Sequence, residues 1–228
     1  MNNPKISPPI FRRIDKERMP CYNEAKGGVA MQGNRMFDEM MKAAKARLAG
    51  RCPQKIAKNT NVDFIDGAFE FDTLGIRVRV AVPEFQILPQ LDPWHQLLIL
   101  HYLDLADGTA LSGDAITFAQ QKDGLVRGGG FDRTAEEVIR RQIGKLPLPV
   151  LQRRCQSLGG VMKPSNADLC VEFFFFPMYP VTLKIWFADE EFDASGRLLL
   201  DGSASRYLTV EDSVILGELI LMALAANE

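Results

Sequence analysis

The chain has 228 residues, of which 46% are hydrophobic and 25% charged, as in an ordinary globular protein. A chain of this length fits one domain and can bury enough surface to fold without a metal or disulfides. The net charge of −2 argues against a nucleic-acid-binding protein, which would concentrate Lys and Arg on one face. Charges and prolines in the first 20 positions, and charges within every apolar stretch, argue against a signal peptide or a membrane span. We therefore expect a cytoplasmic protein.

The four cysteines do not have the spacing of a metal or redox site. Cys21, Cys52, Cys155 and Cys170 are far apart, and no C-x-x-C motif is present. We interpret all four as free thiols, with Cys170 buried in a strand, and we expect no metal site. No cofactor can be assigned from the sequence.

The N-terminal region divides into an arm and a helix. Prolines at several positions predict an extended arm over residues 1–30, followed by a single α+β domain over residues 31–228. Apolar residues at three- and four-residue steps then predict a helix from about Asn34 to Leu48, which Gly50 ends.

The next segment predicts an antiparallel meander and a buried helix. Alternating apolar residues indicate three strands within about residues 62–82, with a hairpin turn at Asp66-Gly67. Asp92 and Pro93 are a typical cap and first position for a helix over Trp94–Ala106. Because that helix is apolar on nearly every side, we expect it to be central.

The second half of the chain predicts more helices and a second meander. Residues 122–130 are interpreted as a glycine-rich loop, and Thr134 with Glu137 as the capping box of the next helix. Another helix is expected over Val150–Leu158. A continuous apolar run and its alternating partner predict a three-stranded meander over about residues 169–200. Thr209 caps a largely apolar C-terminal helix, with Asp212 at the capping-box position. The predicted fold is thus α+β, with two antiparallel meanders packed against the central and C-terminal helices.

Three separated segments resemble one prokaryotic family, catalogued as domain of unknown function 3786. They are LILHYL (98–103) with DGTALSG (107–113), YPVTLKIW (179–186) with DEEF (189–192), and LDGSAS (200–205) with the Tyr207–Asp212 stretch. The resemblance covers about residue 35 to the C-terminus. It implies an anaerobic bacterial or archaeal origin and relatives near iron–sulfur or corrinoid methyl-transfer proteins, but no known activity. Cluster binding is not carried over, since the chain lacks the required cysteines.

His101 is a candidate acid–base residue. It is one of only two histidines, and Asp104 lies three residues further along the same predicted helix face, where a carboxylate could orient the imidazole. The alternative is a buried histidine bonded to a backbone carbonyl. His95 is six residues away and points in a different direction, so the two histidines cannot share a metal ion.

The connection between the second meander and the C-terminal helix is the main candidate ligand site. Small residues there leave room beside the free N–H groups of a helix N-terminus. The polar candidates are Asp201, Ser203, Ser205, Arg206, Tyr207 and Glu211. The alternative is a tight turn held by its own serine hydroxyls. Two weaker candidates are a phosphate-binding loop at Arg127–Gly130, with a flexible connection as the alternative, and the buried carboxylate of Glu172, with a structural pairing to Lys184 as the alternative.

Three functional hypotheses follow. The first is a small-molecule-binding or cofactor-binding accessory protein of anaerobic metabolism, with a pocket between the Trp94–Ala106 helix and the Asp201–Asp212 connection. The second is an enzyme that uses a His–carboxylate pair for proton transfer. The third is an interaction module that forms homo-oligomers through the N-terminal arm.

Overall fold

The computed structural model describes residues 29–226, with side chains from Arg35 onward. In this part of the chain, helices combine with two antiparallel sheets, which confirms the α+β prediction. The helices are α1 (Val29–Leu48), α2 (Pro53–Thr60), α3 (Pro93–Leu105), α4 (Arg127–Arg141), α5 (Leu148–Ser157) and α6 (Val210–Ala225). The strands are β1 (Asp63–Ile65), β2 (Ala68–Thr73), β3 (Ile76–Ala81), β4 (Gln86–Leu88), β5 (Ala115–Ile116), β6 (Val161–Met162), β7 (Leu169–Phe176), β8 (Tyr179–Trp186) and β9 (Ser195–Asp201).

The N-terminal part of the prediction is only partly covered. Val29 and Ala30, which the sequence assigns to the arm, are the first residues of α1. The rest of the predicted arm lies outside the described residues. The described chain divides after Glu39 into two compact units, and residues 40–226 form the larger one, which contains both sheets.

The first sheet is a meander in the order β1-β2-β3-β4. Asp66 and Gly67 both have positive φ, as the predicted two-residue hairpin requires. On the outer face, Glu70 pairs with Arg79 and Asp72 with Arg77 across β2 and β3. On the inner face, the Thr73 hydroxyl bonds to His95 of α3, which links the sheet to the central helix.

The second sheet has the order β5-β9-β8-β7-β6, so the predicted meander forms its centre. Cys170 is buried in β7, as expected, and Cys155 is also buried, whereas Cys52 is exposed; all three are free. Glu172 forms an ion pair with Lys163 at 2.8 Å rather than with Lys184. The register explains the difference, because Glu172 lies opposite Thr182 on β8 and opposite Val161 on the other side.

The helices α3 and α6 pack together in the core. Leu97, Ile99 and Leu100 show that α3 is buried on several sides, as its composition predicts. In α6, the Thr209 hydroxyl accepts from the Asp212 N–H, and the Asp212 carboxylate accepts from the Thr209 N–H. This confirms the capping box that the sequence predicts there.

Residues 127–130 are helical, so their interpretation as a phosphate-binding loop is wrong, whereas residues 122–126 form the turn before the helix. Helix α4 begins at Arg127, and Thr134 donates within it to the Gly130 carbonyl instead of capping a helix start. The reason lies in packing: a Cβ at Gly128 would be 2.1 Å from the Phe118 carbonyl oxygen. Asp132 also accepts from the Phe118 N–H, which holds the first turns of α4 against this neighbouring segment.

This packing predicts opposite effects for two neighbouring glycines. Gly128→Ala should destabilise the fold by about 2 kcal/mol or more, because the backbone must move to admit the methyl group. Gly130→Ala should stabilise it by up to about 1 kcal/mol, since nothing lies within 4 Å and alanine favours helix. Urea unfolding of both variants checks the pair. Equal effects of the two changes would contradict the packing argument.

Candidate functional site

The Asp201 carboxylate connects two loops through hydrogen bonds. Its carboxylate accepts from the backbone N–H groups of Ser112 at 2.9 Å, Gly113 at 2.8 Å and Ser203 at 2.9 Å. It also accepts from the hydroxyls of Ser112 at 3.1 Å and Ser203 at 2.6 Å. Burial acts to raise the pKa of Asp201, but these hydrogen bonds outweigh it and lower the pKa to about 2.

The other candidates in the connection do not converge on a common point. Tyr207 is fully buried, and its hydroxyl donates to the Thr109 carbonyl. Ser203 is buried against Asp201, whereas Ser205 and Glu211 are exposed. The exposed Arg206 lies 3.5 Å from the Asp107 carboxylate. These contacts favour the structural interpretation of the connection, in which its polar groups bond to one another.

The carboxylate beside His101 is Asp212, and the expected pairing with Asp104 is wrong. His101 Nδ1 lies 2.7 Å from Asp212 Oδ1. Asp104 instead accepts from Arg47 and Arg51, each at 2.6 Å. No local pattern indicates this contact, because Asp212 is 111 positions away and its spacing from Thr209 predicts a helix cap.

The central helix and the connection do approach each other, as the candidate site required. Tyr102 of α3 stacks with Tyr207 of the connection at a centroid distance of 6.0 Å, and His101 of the same helix contacts Asp212. The Tyr102 hydroxyl nevertheless bonds to other segments of the chain. It donates to the Thr60 carbonyl at 2.6 Å and accepts from the Met178 N–H at 3.1 Å. Burial raises the pKa of Tyr102, so the hydroxyl stays protonated as a donor.

A cleft of about 570 Å³ opens where the two sheets meet. Asn61 and Pro177 are among its lining residues, and each is next in sequence to a residue whose backbone bonds to the Tyr102 hydroxyl. At one end the backbones of Gly75 and Gly159 nearly touch, and a Cβ at Gly75 would lie 3.0 Å from the Gly159 nitrogen. Contacts of α3 and the Gly75–Gly159 approach therefore lie next to the cleft.

The lining of the cleft is charged and mostly acidic. Asp63, Glu70 and Asp72 contribute carboxylates, and Arg77 contributes the guanidinium among the lining residues. Phe174 adds an aromatic surface that is 42% exposed. The sequence places Arg77 on the outer face of its strand, but gives no indication that Phe174 of β7 would line the same cleft.

Among residues 35–226, no three His, Cys, Asp or Glu side chains converge in an arrangement that could hold a metal ion. Within the described helices, none combines the length and apolarity that a bilayer crossing requires.

The fold and these features define an α+β protein with a cleft between two antiparallel sheets. The model of the family described as domain of unknown function (DUF3786) matches residues 52–223, and the chain belongs to that family. The match confirms the family that the three sequence segments resemble. Comparison with curated proteins and with solved structures gives no match.

Proposed function

We propose that the protein binds a small organic cation, carrying ammonium or guanidinium groups, in the cleft between the sheets. The observation that carries this proposal is the acidic lining of a preformed cleft. Its volume of about 570 Å³ falls within the range of small-molecule sites. The proposal keeps the interpretation of the chain as a cytoplasmic small-molecule-binding accessory protein and moves the ligand away from the Asp201–Asp212 connection.

The carboxylates of Glu70 and Asp72 are neutralised to different degrees. Arg77 lies 3.7 Å from both Glu70 and Asp72, which is too far for a hydrogen bond. Glu70 is held more closely by Arg79, but the Asp72 side chain is 69% exposed. An ammonium group can therefore approach Asp72 without displacing a buried ion pair, and a charge-assisted hydrogen bond to it would be stronger than a neutral one.

The aromatic ring at the edge of the cleft suits the same ligand class. A cation near the face of a phenylalanine ring is attracted by the ring quadrupole, and a hydrocarbon chain can cover the exposed part of Phe174. The nearby Pro177 extends this apolar surface. A short aliphatic chain with a cationic end would therefore satisfy both parts of the lining.

Three compounds of equal chain length test the proposal. We expect 1,5-diaminopentane to bind measurably by NMR titration of backbone amides, with shifts around the cleft. The diol 1,5-pentanediol and the dianion glutarate should bind at least about tenfold more weakly, because they lack the attraction to the carboxylates. Equal binding of all three, or diamine shifts located elsewhere, would refute the proposal.

Paired carboxylate variants provide the control. Asp72→Asn should weaken diamine binding several-fold, by removing one charge without changing side-chain size. Glu136→Gln removes an exposed carboxylate from α4 and should leave binding unchanged. If both variants weaken binding equally, the attraction is to the net charge of the protein and not to the cleft.

A further inference from the structure

We propose that His101 and Asp212 form a proton-accepting site, in which His101 Nε2 takes a proton from an uncharged, weakly acidic small molecule. Asp212 is the positioning residue, and His101 is the group that meets the ligand. This site uses none of the residues of the cleft between the sheets, so it is independent of the cation-binding proposal.

The two histidines of the chain are in opposite situations. His95 is 2% exposed, its Nε2 lies 2.7 Å from the Thr73 hydroxyl, and burial lowers its pKa to about 4. The His101 side chain is 16% exposed and bonds to Asp212 through Nδ1. Its Nε2 makes no hydrogen bond with any described residue. His101 therefore has a nitrogen available for an external group, and His95 does not.

Asp212 is held in place from both sides. Its Oδ2 accepts from the Thr209 hydroxyl at 2.8 Å, while its Oδ1 faces His101. The carboxylate is 6% exposed and lies in the first turn of α6, where the helix dipole favours a negative charge. In the proposed pair, Asp212 Oδ1 accepts a hydrogen bond from His101 Nδ1–H.

The tautomer fixes the chemistry of the ring. With Nδ1–H bonded to Asp212, the lone pair of the neutral imidazole is on Nε2. Nε2 can accept a proton from an O–H, S–H or activated C–H group, whose bonding electrons stay on the substrate as an anion. The imidazolium that forms is stabilised by Asp212, and return of the proton restores the neutral ring. No oxidant, reductant or further reactant is needed.

The surroundings of His101 favour an uncharged substrate. Leu105 lies one helical turn further along α3, on the same side of the helix, and is 41% exposed. Leu97 and Leu98, one turn before His101, are buried. A neutral molecule can contact the exposed Leu105 side chain without the desolvation cost that a charged molecule would incur.

Modification by diethyl pyrocarbonate, which acylates unprotonated imidazole nitrogens, tests the site on the full chain. Mass spectrometry of peptides after reaction at pH 7 should show His101 modified at least about tenfold faster than His95, because only His101 presents a free Nε2. In ¹⁵N NMR spectra, the neutral His101 ring should show the tautomer protonated at Nδ1. Reaction of neither histidine, or a ring protonated at Nε2, would overturn the proposal.

The role of Asp212 is tested by Asp212→Asn, which keeps the side-chain size and a hydrogen-bonding oxygen. We expect His101 to react several-fold more slowly in this variant, because the charge that supports the developing imidazolium is lost. Thr209→Ser, which keeps the hydroxyl that holds Asp212, should react at the wild-type rate. If Asp212→Asn folds and His101 reacts unchanged, Asp212 is only a helix cap and the proposed pair is refuted. The wild-type comparison of the two histidines decides the accessibility of Nε2 even if the variant does not fold.

Discussion

A chain that ends at Leu208 is expected to be insoluble or unfolded, because it lacks helix α6. The buried aliphatic residues of α6 are Val210, Val214, Leu216, Leu219, Ile220, Leu221 and Leu224. Each contributes on the order of 2 kcal/mol, so their loss together exceeds the typical stability of a domain. Far-UV circular dichroism and thermal unfolding of the truncated chain would check this. A soluble truncation with a cooperative transition would show that α6 is dispensable.

Single substitutions in α6 separate the effect of lost side-chain packing from the effect of shortening the chain. Ile220→Ala removes a fully buried side chain and should cost about 2–5 kcal/mol. Glu211→Ala changes an exposed residue of the same helix and should change stability by less than about 1 kcal/mol. Similar losses from both changes would contradict the burial of Ile220 and the exposure of Glu211.

Turns, helix caps and strand alternation are the parts of the fold that the local sequence predicts. Asp66-Gly67 predicts its hairpin because few residue pairs accept positive φ at both positions. Asp92 and Pro93 predict the start of α3, where the Asp92 side chain indeed accepts from the Trp94 N–H. Alternation and apolar runs predict the strands at the centres of the two meanders. In each case the deciding interactions lie within a few residues of one another.

The parts that could not be predicted depend on contacts between distant segments. Helix α4 continues through three glycines because Gly128 must lie against the Phe118 backbone, and helix propensity alone predicts a loop there. The short strand β6 exists through its pairing with Glu172 and Val171 of β7. Two residues are too few for a periodic pattern.

The same limit applies to the candidate sites. The sequence identifies His101 as a candidate acid–base residue. It indicates Asp104 as the partner because spacing shows only which residues of the same helix lie near each other. Arg47 and Arg51, which bind Asp104, come from a preceding segment more than 50 positions away. The cleft was not predicted at all, since it forms between β2 of one sheet and β7 of the other.

The Asp201–Asp212 connection shows why a polar cluster at a strand end is ambiguous. Small residues and hydroxyls allow a ligand to approach, and they equally allow a second loop to approach. In this protein the loop containing Ser112 and Gly113 occupies the acceptor positions of Asp201. The cluster therefore stabilises the junction between β5 and β9, and substitutions there should act on stability first.

Asp201→Asn is accordingly expected to destabilise the fold by about 3 kcal/mol. The change removes a charge that accepts hydrogen bonds from Ser112, Gly113 and Ser203, and the amide nitrogen of asparagine would face N–H groups. Ser203→Ala, which removes one hydroxyl donor, should cost about 1 kcal/mol. Arg206→Ala is the control, since this exposed side chain makes a single distant ion pair and surface pairs contribute little. Urea unfolding at pH 7 measures all three.

The pH dependence of stability tests the cause of these losses. The pKa of Asp201 falls from an ordinary value of 3.8 in the unfolded chain to about 2 in the folded protein. A carboxylate with a lowered pKa stabilises the fold at pH values above the pKa that it has in the unfolded chain. This stabilisation is lost as pH falls from about 4 to about 2. Over this interval the free energy of unfolding of the wild-type protein should therefore fall by about 2 kcal/mol more than that of Asp201→Asn, which has no carboxylate to titrate at this position. If the two proteins show the same acid dependence, Asp201 is not the group that holds the loops together. If a substitution in the Asp201–Asp212 connection abolishes cation binding but leaves stability unchanged, the ligand site lies in this connection and not in the cleft.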